Sequence, residues 1–211
     1  MNTDRLIEML STNVEPVKTG QLKKTLALTL VAGGLAAFCV MLSTVGLRSY
    51  GGGHYGFLFL KLGFMLTLIG AGTALLSRLI RPGQDGRRLY MVIFVVFAVI
   101  GLSGAVALAL RPAGTWGHMV MGTQWAMCAF CIPLFAIVPF AALIWALRRG
   151  APTNLRRAGA IAGLVAGAVG AVAYAFHCPD DSIPFIALWY GAMVALCALL
   201  GSMLGPRLLR W

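Results

Sequence analysis

Apolar positions in this chain fall in long runs rather than stripes, and short polar stretches separate the runs. Six runs lie near the ~20 residues that cross ~30 Å of hydrocarbon as a helix. They predict spans over about residues 25–47, 57–76, 89–110, 125–147, 158–176 and 183–204. The breaks carry helix-stopping residues: a Gly-rich loop at 48–56, Pro82-Gly83 in the turn 78–88, and Gly150 with Pro152 in the turn 148–157. The loop 111–124 holds Trp116 and His118, and residues 176–185 form a polar island with His177, Cys178, Asp180 and Asp181.

Residues 1–24 follow a different pattern. Asp4 to Ser11 predicts a short helix with Thr3 or Asn2 as its N-cap, and Pro16 ends it. Leu6, Ile7 and Leu10 share one face, while Asp4, Glu8 and Glu15 outnumber Arg5. A membrane-surface helix would carry Lys and Arg on its polar face instead. An apolar stripe with mixed charge suits docking to a soluble partner in a groove; a solvated tail is the plainer alternative. The expected fold is therefore all-α. A cytoplasmic amphipathic segment (1–24) precedes a bundle of six transmembrane helices (25–206) and a short cytoplasmic tail (207–211).

Composition agrees with the pattern: 60% of residues are hydrophobic and 11% charged, more apolar surface than a soluble domain of this size hides. The 17 Lys and Arg against 6 Asp and Glu act as topology markers rather than a nucleic-acid footprint. With the N-terminus inside, 14 basic residues lie on the inner side and 3 (Arg48, Lys61, Arg111) on or near the outer side. Both termini are expected in the cytoplasm, with lipid around the bundle and no direct contact with nucleic acid.

That orientation sends the reactive side chains outward. His54, His118, His177, Cys178, Asp180 and Asp181 fall in or beside outer loops, and Cys128 and Cys131 begin the fourth span from the outside. In Cys128-Ala-Phe-Cys131 the two cysteines share a helix face, Cys131 ~4.5 Å deeper. Free cysteines are often small buried hydrophobes, but Cys178 stands in a polar loop of an oxidising compartment, where unpaired thiols are avoided. Two chemistries fit a Cys128–Cys178 pair. One is a disulfide, if the Cα atoms approach within ~7 Å. The other is a soft-metal site of both thiolates with His177 or His118, suited to zinc, copper or cadmium.

Asp180 and Asp181 are expected to cap the sixth helix. Lys61 is expected to snorkel to the interface. Gly159, Gly163 and Gly167, followed by Gly170, line the fifth span with small residues and predict a central, closely packed helix. Cys39 and Cys197 lie within the first and sixth spans. No phosphate-binding loop, Ser/His/Asp arrangement or paired intramembrane carboxylate is present, and catalysis is not expected.

Several stretches together resemble one family. They are Thr3-Asp4-Arg5-Leu6-Ile7-Glu8-Met9-Leu10 with Pro16-Val17; Lys61-Leu62 followed by Arg78-Leu-Ile-Arg-Pro-Gly; Leu147-Arg-Arg-Gly-Ala-Pro-Thr with the glycine-rich fifth span; and Tyr174-Ala-Phe-His-Cys-Pro-Asp-Asp through Trp189-Tyr190-Gly191. These resemble the bacterial multipass membrane anti-sigma factors of the NrsF type, over nearly the whole chain. The resemblance implies a six-span inner-membrane protein that holds an extracytoplasmic-function (ECF) sigma factor inactive on its cytoplasmic side. It also implies a sensing cysteine at the outer end of the fourth span and another after the fifth, tied to heavy-metal or oxidative stress. Cys178 matches the second; Cys128 or Cys131 matches the first, with Cys128 preferred as nearer the water. Two rivals from other classes are a quinone-linked membrane thiol oxidoreductase, which would share the Cys-x-x-Cys, and a metal transporter, which would need polar residues through the midplane.

Overall fold

A computed structural model of the chain describes Thr3, Arg5 and residues 21–48, 55–80, 86–150 and 152–210. Six helices in it are long and apolar enough to cross a membrane. They run Gln21–Thr44, Tyr55–Leu79, Arg87–Ala109, Trp125–Arg148, Leu155–Ala175 and Ile183–Leu208, called here the first to sixth spans. Most extend a few residues past the apolar runs, because helical hydrogen bonding does not stop where hydropathy does. Arg78 and Arg148, in last turns, are favoured there by the helix dipole. The amphipathic stripe of Leu6, Ile7 and Leu10, and His54, lie outside the described residues.

Alternating helix direction gives the bundle two ends. One holds the start of the fourth span and the residues after the fifth, the cysteine end. The other holds the turns around Arg87 and Arg148, the basic end.

The fifth span is the axis. Of its most apolar window 89% is buried, against 17% for the third span at the periphery. The reason is the glycines. A Cβ on Gly159 would meet the Gly201 carbonyl and stand 2.7 Å from Gly205 Cα; one on Gly163 would meet the Cys197 carbonyl. Gly201 answers reciprocally against Gly159, and Gly167 lies against Cys197 and Val194. Fifth and sixth spans therefore touch backbone to backbone, the contact that small residues at four-residue spacing permit. Gly170 makes a similar approach to the fourth span, 2.6 Å from Ile132 O and 2.9 Å from Ala136 N for an added Cβ. On the second span Gly72 admits Val165 of the fifth. The third span packs through Gly104 against Pro184 and Ala187, and through an edge-to-face contact of Phe97 with Phe64 at 5.7 Å.

Two local features depart from the sequence expectation. The stretch 111–124 is not a plain loop: a tight turn at Ala113–Thr115 leads into a short helix, Trp116–Met121. The sixth span opens with one turn over Ile183–Phe185 and widens into a π-helical turn over Ile186–Tyr190 before continuing as Gly191–Leu208. Such turns insert a residue into the helical ladder and recur at functional sites. Here the turn carries the buried Tyr190.

Candidate functional site

Cys178 stands just beyond the fifth span. Its N–H, like that of His177, donates to Tyr174 O at the helix end (3.0 and 2.9 Å). The polar island around it is not a solvated loop. Cys178 is fully buried and Asp180 is 9% exposed. Cys128, fully buried at the start of the fourth span, lies close enough to Cys178 to interact electrostatically, with Cys131 beside it. Fully buried Tyr174 and Tyr190 pack beside them, their rings 6.2 Å apart and neither hydroxyl hydrogen-bonded. Burial holds the Cys178 thiol above its ordinary range, against a smaller opposing pull from the Lys61 ammonium. A neutral, shielded thiol is slow to react until its surroundings open.

All five cysteines are unbridged. The structure brings Cys128, Cys131 and Cys178 together and leaves the other two apart. Cys39 is exposed on the first span, and Cys197 packs on Gly167 within the bundle. His177 points its Nδ1 at Gly46 O (3.1 Å) and leans on the Tyr174 ring at 5.8 Å. His118 lies on the short helix and lines an open cavity of about 1020 Å³ with Arg111, Asp180 and Asp181. Among the described residues no three His, Cys, Asp or Glu side chains are grouped to hold a metal ion.

Two sequence expectations are overturned here. Lys61 does not snorkel. Its side chain is 1% exposed, and its Nζ donates to Asp181 Oδ1 at 3.0 Å and to Cys178 O at 3.4 Å. An ammonium in an apolar bundle is stabilised by a facing carboxylate, and one was within reach. Nor do the two acids cap the sixth helix. Ser182 does so, its Oγ accepting from Phe185 N–H at 3.2 Å and donating to Met119 O at 2.6 Å. Asp181 instead binds Lys61 and Arg48, the latter through Nη1 at 3.0 Å. Asp180 accepts from Thr123 N–H, Thr123 Oγ and Gln124 N–H, each at 2.8 Å, and so holds the entry to the fourth span. Gly122 makes that possible. Its φ of +57° suits glycine, and a Cβ there would stand 2.6 Å from the Asp180 carboxyl carbon.

The segment from Phe176 to Ser182 thus bonds to the ends of the first, second and fourth spans and to the short helix. Arg48 N–H donates to Phe176 O at 3.1 Å, and Trp189 Nε1 donates to Val120 O at 2.9 Å, tying the sixth span to the short helix. Chemically the site is a buried cluster of two thiols within electrostatic range of each other, a third about one turn deeper, and a buried cation nearby.

The chain matches the family described as "Negative regulator of sigma F" (NrsF) over residues 10–211. It is 33% identical to the anti-sigma-F factor NrsF of Caulobacter vibrioides (strain NA1000 / CB15N) over the full length of both chains. A probable anti-sigma-F factor NrsF of Azospira oryzae is 31% identical, also over the full length of both. The chain belongs to the NrsF family. No solved structure matches it. Within that family frame, the cysteines and the polar island were legible in sequence; Lys61, Tyr174 and Tyr190 were missed as parts of the site. The signal for Lys61 was its position: a charge inside a span calls for a partner, and Asp180 and Asp181 are the only acids after residue 85.

Proposed function

We propose that this NrsF-family chain is a membrane-bound anti-sigma factor: it holds an ECF-type sigma factor inactive at the bacterial inner membrane and releases it when Cys128 and Cys178 react. The role is regulatory and involves no turnover. Both termini and the basic end face the cytoplasm, which the excess of Lys and Arg there supports. The cysteine end faces the periplasm. Leu6, Ile7 and Leu10 form the sigma-binding stripe, assisted by basic turns that attract acidic surface.

What supports this reading is the burial of Cys128 and Cys178, within electrostatic range of each other, at the end opposite the start of the first span. Two adjacent thiols suit two signals. A two-electron oxidant can join Sγ to Sγ, taking two electrons as two protons leave. A soft metal ion (zinc, cadmium or copper(I)) can instead be held between two thiolates, releasing two protons. Such a metal is the signal rather than a resident cofactor. His177 or His118 would be recruited to it only by movement, since His177 already faces a carbonyl and His118 lies on the cavity wall.

The test is a reporter for the captured sigma factor in cells carrying Cys178→Ser or Cys128→Ser. Both variants should repress normally and fail to respond to oxidant or cadmium, while Cys39→Ser and Cys197→Ser respond as the unsubstituted chain does. A normal response from Cys178→Ser and from the Cys128→Ser/Cys131→Ser pair would refute the sensing role. Retained repression after Leu6→Asp with Leu10→Asp would move the sigma-binding surface elsewhere.

A further inference from the structure

Asp181 is gripped from two sides. Arg48, just past the first span, reaches Oδ2 at 3.0 Å, and Lys61, inside the second span, reaches Oδ1 at 3.0 Å. The same two cations converge on one more acceptor, the carbonyl of Cys178, at 3.2 and 3.4 Å. Lys61 Nζ also lies 5.8 Å from the centroid of the Tyr190 ring. The backbone of the cysteine and the carboxylate three residues on are therefore held together by side chains from the first and second spans. The opposite flank of the segment is held separately, by Asp180 on the fourth span.

We propose that Lys61 is a positioning residue of the cysteine site: with Arg48 it clamps Cys178 and Asp181 onto the first and second spans, and release of this clamp passes a change at the cysteines to the rest of the bundle. This rests on the thiol-sensing role proposed above. Drawing the Cys178 sulfur towards the fourth span, into a bond with Cys128 or onto a shared ion, moves the carbonyl of the same residue. That carbonyl is the acceptor Lys61 and Arg48 share, so its displacement strips both cations of one partner at once. A buried ammonium with fewer partners is destabilised, and the second span gains by moving.

The second span can carry the motion. It is one unbroken helix, Tyr55–Leu79. Midway, Gly72 seats against Val165, Leu164 and Ile161 of the fifth span, and Ile80 beyond its far end seats against Gly150 in a basic turn. A shift at the clamp therefore repacks contacts at the basic end, and close-packed contacts of this kind change between discrete arrangements. Only the difference in energy between the clamped and released arrangements matters for the output.

The experiment uses the full chain in membranes and the same sigma reporter. Lys61→Met combined with Asp181→Asn removes both buried charges at similar volume, so the bundle can still form. Each variant is built with native cysteines and with Cys128→Ser/Cys178→Ser. Without inducer, reporter output should rise at least about tenfold in both backgrounds, at unchanged membrane abundance. Lys61→Arg, which keeps a cation facing Asp181, should restore repression. A doubly substituted chain that still represses, whether it remains inducible or turns deaf to inducer, overturns the clamp, as does derepression by Lys61→Arg at normal abundance. Failure of the sensing role shows separately, as a normal inducer response from Cys128→Ser/Cys178→Ser with the clamp intact.

Discussion

The two ends of the bundle use charge in opposite ways. At the cysteine end Asp180 and Asp181 are both tied by hydrogen bonds, and Lys61 is sealed from solvent between Asp181, Cys178 and Tyr190. At the basic end most of the described arginines stand at the surface. Arg88 and Arg156 are exposed, Arg149 lies 3.8 Å over the Trp145 ring, and Arg148 donates to Leu208 O at 2.6 Å. Charge at the basic end is mostly solvent-facing. Charge at the cysteine end acts by geometry, and each residue has a specific partner. At the basic end the charges lie mostly on exposed side chains; at the cysteine end they fix the position of one cysteine.

The largest effect on output is expected at Leu6, Ile7 and Leu10, the surface proposed above to bind the sigma factor. Leu6→Asp with Leu10→Asp should raise reporter output to the level of cells lacking the protein, with the chain still in the membrane. Next comes Asp181→Asn, which strands Lys61 in the bundle beside an amide. Breaking a buried pair from one side costs about 3–5 kcal/mol. Thermal unfolding in detergent should show that loss, whereas Arg88→Gln or Arg156→Gln should stay within about 0.5 kcal/mol of the unsubstituted protein. Equal losses at the two ends would erase the distinction. A third test addresses the axis joining them. Gly163→Leu places a side chain against the Cys197 carbonyl and should cost more than the 1–3 kcal/mol usual for overpacking. Gly70→Leu, with nothing within 4 Å of its Cβ position, should cost little.

The same contrast explains what the sequence revealed. Hydropathy is read along the chain, and it placed the starts of the fourth and sixth spans at Trp125 and Ile183, where the helices begin. Glycine spacing marked the fifth span as central because Gly159, Gly163 and Gly167 act on one helix face. The cysteines were legible as a group because loop order already put Cys128 and Cys178 at one end. The Lys61–Asp181 pair was not, for its members lie 120 positions apart and nothing local joins them. Taken one at a time, a lysine near a helix end snorkels and an acid before a helix caps it. Both generalities failed because the two residues met each other. The π-helical turn at Ile186–Tyr190 was equally hidden, since its apolar sequence suits an ordinary helical turn.

The smallest effect separates two helix caps, one at each end. Asn154 caps the fifth span at the basic end, its Oδ1 accepting from Arg157 N–H at 3.0 Å, and it is exposed. Ser182 caps the sixth span at the cysteine end with a longer bond, 3.2 Å to Phe185 N–H. On capping alone the two should be worth the same, about 1 kcal/mol each on replacement by alanine. Ser182 has a second bond, however, donating to Met119 O at 2.6 Å on the short helix, in a half-buried setting. Ser182→Ala leaves that carbonyl without its donor, where water replaces it less readily, at a further cost of about 1 kcal/mol or more. Asn154→Ala exposes its freed N–H to water and incurs no such addition. Thermal unfolding of the two alanine variants should therefore rank Ser182→Ala as the more damaging by about 1 kcal/mol. Equal losses would mean that the Met119 contact contributes nothing and that the cysteine end is no more tightly specified at this position than the basic end.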